Sequence, residues 1–271
     1  MSSVSELAGA LLLAAVSAAA AAPAPPAAPA PPLRVCADPN NLPFSNDRRE
    51  GFENALAELV ARDLGRPLEY FWWPQRRGFA RQTLKSGRCD LVMGVPSAYE
   101  LASTTEPYYR STYVFVSRGD RRLRIRSFDD PRLAHLRVGI HVIGGADSGM
   151  PPGLALAQRG IVENVVSYSL LGDYSKPNPP AALIDAVSRG DVDVAVAWGP
   201  LAGYFAQRSP VPLDVVPVSP AIDLPFRPYV FDISMAVRRG DPLRDTVDGV
   251  IERRREDIRR LLEKFGVPLV E

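Results

Sequence analysis

The side chains best placed to do chemistry fall in two groups, 103 residues apart. The first is Asp38-Pro39-Asn40-Asn41, closed by Pro43-Phe44, directly after the apolar run Leu33 to Ala37. A strand ending this way leaves a carboxylate, two amides and free backbone groups at its carboxyl edge, where α/β sheets bind ligands. The second group follows Leu136-Arg137-Val138 and holds His141 and the pair Gly144-Gly145. Acid–base catalysis needs two groups within hydrogen-bond reach, and Asp38 with His141 is the one pair the chain offers. A lone histidine is more often structural. Nucleophile elbow, phosphate loop, dinucleotide fingerprint and His-x-x-x-His spacing are all missing from the sequence. These residues therefore point to binding rather than turnover, with no cofactor and no metal. The loop Ile143 to Gly149 could cradle an anion if it opens a helix. A plain connection is the favoured reading, since a glycine loop alone is a weak motif and Pro151-Pro152 complicates the helix start.

Composition narrows the partners. With 271 residues the chain can bury a sizeable core. A formal net charge of +1 gives no electrostatic reason to bind nucleic acid or an acidic membrane. All the basic residues are arginine except Lys85, Lys176 and Lys264. Two cysteines and two histidines are too few for a four-ligand structural zinc site. Residues 1–32 stand apart: Leu7 to Ala22 is uncharged and Ala/Leu-rich, and Pro/Ala repeats follow to Pro32. That pattern reads as a signal peptide with a proline-rich spacer, although no Lys or Arg precedes it; a plain low-complexity tail is the alternative. The expectation is export, with no membrane span in the mature protein.

Elements that would position these groups follow from periodicity. Phe52, Leu56, Leu59 and Val60 share one helical face, and Gly65 ends that helix. Leu68 to Trp73 and Cys89 to Val95 read as strands, Phe79 to Ser86 as a helix between them. Strand–helix–strand–helix–strand implies a parallel sheet with helical crossovers. Tyr108 to Val116 is a further strand, Phe231 to Val237 the last. A helix from Asp241-Pro242 through Phe265 is expected to pack back on the first half. The pattern also repeats. Leu136-Arg137-Val138 matches Leu33-Arg34-Val35, and Gly190 and Asp193 match Gly87 and Asp90, all at an offset of 103. We read an α/β protein of two lobes, two doubly wound mixed sheets joined by a hinge. Lobe 1 would span 33–117 and 226–271, lobe 2 118–225.

Facing lobes place specific residues on a cleft. One wall would carry Asp38, Asn40, Asn41, Phe44, Pro96 and Tyr99; the other His141, Gly144, Gly145 and Trp198, which ends a strand. In Trp72-Trp73-Pro74-Gln75-Arg76-Arg77, adjacent strand residues point to opposite faces. One ring, Trp73, could then meet a ligand or partner beside Arg76 or Arg77; packed rings and solvated arginines are the plainer alternative. Tyr109 and Arg110 would lie near the lobe junction. Cys36 and Cys89 fall on strands that neighbour each other in a 2-1-3 order, at a spacing a disulfide accepts. Pairing is the expectation given export, free buried thiols the alternative.

Four first-lobe stretches closely resemble one subfamily of type 2 periplasmic binding proteins. They are Arg-Val-Cys-Ala-Asp-Pro-Asn-Asn-Leu-Pro-Phe-Ser (34–45), Trp-Trp-Pro-Gln-Arg-Arg-Gly-Phe (72–79), Cys-Asp-Leu-Val-Met-Gly-Val-Pro (89–96) and Pro-Tyr-Tyr-Arg-Ser-Thr-Tyr-Val-Phe-Val (107–116). The subfamily comprises binding proteins associated with pyrroloquinoline-quinone alcohol dehydrogenases, especially methanol dehydrogenase accessory proteins. The resemblance implies two lobes on a hinge, a periplasmic location, and a link to a quinoprotein dehydrogenase and its cytochrome c acceptor, for maturation or activation of that enzyme. Both cysteines lie inside these motifs, which supports their pairing. The amino-acid-binding branch carries Thr-x-x-Arg after the third strand, its Arg clamping an α-carboxylate. Here the stretch is Pro96-Ser-Ala-Tyr-Glu-Leu101, without Arg, so a free amino acid is not the expected ligand. A receptor for an ABC importer of a small solute is the alternative function.

Overall fold

The computed structural model describes residues 30–143, 149–171, 174–223 and 227–271. The leader and the pair Gly144-Gly145 lie outside them. In chain order the elements are β1 (Leu33–Ala37), the hairpin β2 (Asn40–Asn41) and β3 (Ser45–Asn46), α1 (Phe52–Asp63), β4 (Leu68–Trp72), α2 (Phe79–Gln82), β5 (Leu91–Pro96), β6 (Ser103–Thr104) and β7 (Tyr109–Arg118). The second half holds β8 (Val138–Val142), α3 (Pro151–Gln158), β9 (Val165–Ser169), α4 (Ala182–Arg189), β10 (Val194–Trp198), α5 (Gly199–Ala206) and β11 (Leu213–Pro217). Then come β12 (Ile222–Asp223), β13 (Arg227–Pro228), β14 (Val230–Val237), α6 (Leu243–Arg253) and α7 (Arg255–Lys264).

The strands run β4-β1-β5-β14-β7-β10-β8-β9, with β6 beside β14 and β11 beside β7. In the first half β1 is parallel to both β4 and β5; in the second, β8 is parallel to both β9 and β10. Each lobe thus centres on a 2-1-3 order, as parallel strands with helical crossovers require. The ten-residue β7 belongs to both. Tyr109 to Thr112 pairs with β14, and Tyr113 to Ser117 pairs with β10. Buried side chains follow the same division: Tyr109 joins a core with Leu33, Phe52 and Met235, whereas Val114 and Phe115 join cores built on α4, α5 and β8.

The repeat is built from matching contacts. Arg34 Nε and backbone N–H both donate to Asp90 at 3.2 Å, and its Nη1 donates to the Gly87 carbonyl at 3.0 Å. In the second lobe Arg137 donates to Asp193 through N–H (2.8 Å) and Nε (3.2 Å), and to the Gly190 carbonyl at 2.8 Å. Gly87 and Gly190 sit at φ +71° and +80°, a left-handed turn that lets the chain leave its helical turn and start the next strand.

Two expected helices differ. The helix over Phe79 to Ser86 stops at Gln82, because Thr83 Oγ1 turns back onto the Phe79 carbonyl at 2.6 Å and Thr83 leaves helical geometry. The C-terminal helix breaks at Arg254 (φ −107°, ψ 15°) into α6 and α7. The bend turns both segments onto the α1 core, burying Val247, Val250 and Ile251 from one and Ile258 and Leu262 from the other. It also lets Arg253 and Arg254 both reach Asp63, at 2.6 and 2.7 Å.

Candidate functional site

The loop after β1 is fixed by the start of α1. Phe52 and Glu53 donate their backbone N–H groups to the carbonyls of Pro43 (2.8 Å) and Phe44 (2.9 Å). Helix-end donors that would otherwise be unpaired thus hold the loop. Gly51 makes this possible, since a Cβ there would stand 2.0 Å from the Phe44 carbonyl oxygen. Asp38 closes the other side. Its Oδ1 accepts from Asn40 N–H at 2.8 Å, and its Oδ2 accepts from Gln75 N–H at 2.6 Å and from the Tyr174 hydroxyl.

Between the two halves lies a cavity of about 410 Å³, within the usual range for small-ligand sites. Asp38, Asn40, Asn41 and Phe44 line one side, with Pro96 and Tyr109 nearby. Trp198 and Leu201, at the β10–α5 junction, face them, with Leu170, Leu171 and Tyr174 from the segment after β9. Tyr113, Trp198 and Phe231 form a ring cluster, each pair edge-to-face at 5.4 to 6.3 Å between centroids. The halves meet across the opening. Asn40 Nδ2 donates to the Lys176 carbonyl at 2.8 Å, and Asn178 N–H donates to Asn40 Oδ1 at 3.2 Å.

Sequence reasoning missed Glu53. An acid in the first turn of a helix ordinarily answers the helix dipole, and nothing in its neighbours marks it otherwise. Here it lines the cavity, and its carboxyl is pushed up to about 8 by burial and then by the charge of Asp38. Among the described residues no side chain or backbone N–H donates to that carboxyl. Gly94 makes its room: a Cβ there would stand 2.1 Å from Glu53 Oε1. Tyr174 was missed too, because it sits in an aperiodic stretch. Burial and then its bond to Asp38 raise its hydroxyl above the ordinary tyrosine range.

The remaining sequence-derived residues lie away from this cavity. Arg76 and Tyr99 line a smaller pocket of about 200 Å³ behind Val95 and Pro96, and the Arg76 guanidinium rests 4.7 Å from the Tyr174 ring centroid. Trp73 is 39 % exposed and stacks on Phe71. Trp72 stacks on Tyr70, so the two indoles do take opposite faces. Arg77 is exposed. Arg110 pairs with Asp232 on β14 at 3.4 Å, at the surface. His141 is buried, with Nε2 3.2 Å from the Pro180 carbonyl. A carbonyl only accepts, so Nε2 carries the proton. Burial holds the ring down at about 4, hence neutral. It shares no hydrogen bond with Asp38, whose two oxygens are already occupied. The cysteines are joined: Cys36 and Cys89 form a disulfide with Cα atoms 5.5 Å apart. Among the described residues, no group of three or more His, Cys, Asp or Glu could hold a metal ion.

Residues 33–268 match the bacterial extracellular solute-binding proteins, family 3. The chain belongs to that family. Among its relatives, protein MoxJ of Methylorubrum extorquens is 33% identical over 253 residues, covering 88% of this chain and 81% of MoxJ. Two solved structures are also similar. The periplasmic binding protein XoxJ from Methylobacterium extorquens AM1 superposes with a TM-score of 0.73 at 36% identity, covering 88% of this chain and 99% of XoxJ. MxaJ from Methlophaga aminisulfidivorans MPT superposes at 0.75 with 28% identity, covering 88% and 100%. The two-lobed α/β fold is that of these binding proteins.

Proposed function

We propose that the protein is a non-enzymatic periplasmic accessory of a pyrroloquinoline-quinone methanol or alcohol dehydrogenase, acting in its maturation or activation. Its cleft holds a segment of the partner or a small molecule. One observation carries this reading: a chain similar to MoxJ, XoxJ and MxaJ along nearly the whole length of the latter two has a cavity with no arginine or lysine among the described residues that line it. A family member that receives free amino acids needs a cation for the α-carboxylate, and this lining supplies none. The absence of an acid–base pair at Asp38 and His141 supports a binding role over turnover. Aromatic anchors around the cleft suit a protein partner. Purified protein is expected to bind the dehydrogenase of its own organism saturably in biolayer interferometry. No binding to either the cofactor-free or the loaded dehydrogenase contradicts the reading.

The second reading, a receptor delivering a small solute to an ABC importer, is favoured by the family itself. A solute screen by thermal unfolding separates the two. A physiological solute raising the melting temperature by several degrees at micromolar concentration supports the importer.

A further inference from the structure

The proposed binding role leaves open what the cavity holds, and its charge pattern bears on that. Among the described residues that line it, the ionisable acids are Asp38 and Glu53, and none is arginine, lysine or histidine. Asp38 already accepts from three donors. Glu53 has none, and it projects into the space that Gly94 leaves open. The same cavity is lined by the edge-to-face rings of Tyr113, Trp198 and Phe231, and by Tyr109 and Phe44. A carboxylate without a partner beside aromatic faces is the arrangement that captures alkylammonium groups, through ion pairing and cation–π attraction. An anion would face two acids and no counter-charge. A neutral alcohol would leave the carboxyl group's second oxygen unanswered.

We propose that the cavity binds an alkylammonium group, with Glu53 as its counter-ion and the Tyr113–Trp198–Phe231 cluster as its apolar seat. The same head group is carried by a free amine and by a lysine side chain of a partner protein. The inference rests on the proposed binding role, and it adds the chemistry of the occupant. Binding a cation requires Glu53 to ionise, so complex formation releases a proton. The groups facing Glu53 from the packed elements are Asp38 after β1, Tyr70 on β4, and Tyr108 and Tyr109 at the start of β7. A basic side chain near the rim is Arg76, whose guanidinium rests 4.7 Å from the Tyr174 ring centroid. None of these tyrosines ionises below pH 9, so the proton lost between pH 6.5 and 9 is that of Glu53.

The test is isothermal titration calorimetry of the purified protein with hexylammonium, 1-hexanol and hexanoate, probes that differ in head-group charge. Nα-acetyl-lysine methylamide is a fourth. Hexylammonium is expected to bind best of the three, about 30-fold more tightly at pH 9 than at pH 6.5, given a Glu53 carboxyl near 8. Glu53→Gln should abolish both the preference and the pH dependence, and thermal unfolding should verify that this variant is folded. A tighter complex with the lysine derivative identifies a partner segment as the source, a tighter one with hexylammonium a free amine. Hexanol or hexanoate binding as well as hexylammonium overturns the proposal, as does a wild-type response from Glu53→Gln or no hexylammonium binding at millimolar concentration. In each of these cases the dehydrogenase-binding experiment above stands or falls on its own.

Discussion

The hydroxyl of Tyr174 donates to Asp38 Oδ2, tying the segment after β9 to the loop after β1. Asn40 continues the link by donating to Lys176 O and accepting from Asn178 N–H. These contacts fasten the two sides of the cleft. A hydrogen bond to a charged acceptor contributes about 1.5–3 kcal/mol. Tyr174→Phe removes one such bond and leaves Asp38 its two backbone donors. The expected outcome is a larger radius of gyration in small-angle X-ray scattering and a modest fall in melting temperature. An unchanged radius would show that the link does not control closure.

Arg34–Asp90 and Arg137–Asp193 are equivalent ties at the far end of each lobe from the cleft. Burial alone would raise the Asp193 carboxyl, but hydrogen bonds from Arg137 and Arg121 bring it down to about 2. Asp90 is lowered in the same way by Arg34. Replacing either acid by Ala leaves an arginine and a backbone N–H short of an acceptor, a loss of about 1–3 kcal/mol. Asp90→Ala and Asp193→Ala should each lower urea midpoints by comparable amounts, and their effects should add, since the sites share no partner.

The Cys36–Cys89 disulfide closes a loop with a sequence separation of 53. Loop-closure entropy then sets its contribution at about 4 kcal/mol. Cys36→Ser with Cys89→Ser should lose up to that amount in denaturant unfolding, with the lobe 1 parallel strands losing amide protection first. An unchanged midpoint would contradict this account of the staple.

Two buried groups give stability opposite pH dependences. Glu53 is raised from 4.5 to about 8, so the unfolded chain loses that proton first and stability falls as pH climbs through this range. His141 is held at about 4 against 6.5, so the unfolded chain gains that proton first and stability falls as pH drops from 6.5 towards 4. The two oppose each other between 4.5 and 6.5. Above 6.5 the effect of Glu53 outweighs that of His141. In the unliganded protein, wild type should lose on the order of 2 kcal/mol between pH 6.5 and 8, and Glu53→Gln should remove that slope. Parallel slopes for the two proteins would refute the assignment.

Much of the architecture could be read before the structure, because both lobes use a helical turn closed by glycine, with an aspartate starting the next strand. The arginine that meets that aspartate lies at the same offset in each copy. The residues after β1 were legible as a cleft edge because Asp-Pro-Asn-Asn interrupts an apolar strand. Glu53 was not, since its role depends on Gly94, 41 positions away in sequence, leaving room for it. Tyr174 was hidden in a segment without period. Arg77, Arg110 and Trp73 were read from residue type, and type alone does not say that a side chain points to solvent or to a strand neighbour.

The most direct test of the central claim is dye-linked methanol dehydrogenase activity in periplasmic extracts of a strain lacking this gene, with and without its restoration. The account predicts that activity falls steeply although the dehydrogenase polypeptide is still exported, and that restoring the gene recovers it. Full activity and unchanged growth on methanol in the deletion strain would contradict it.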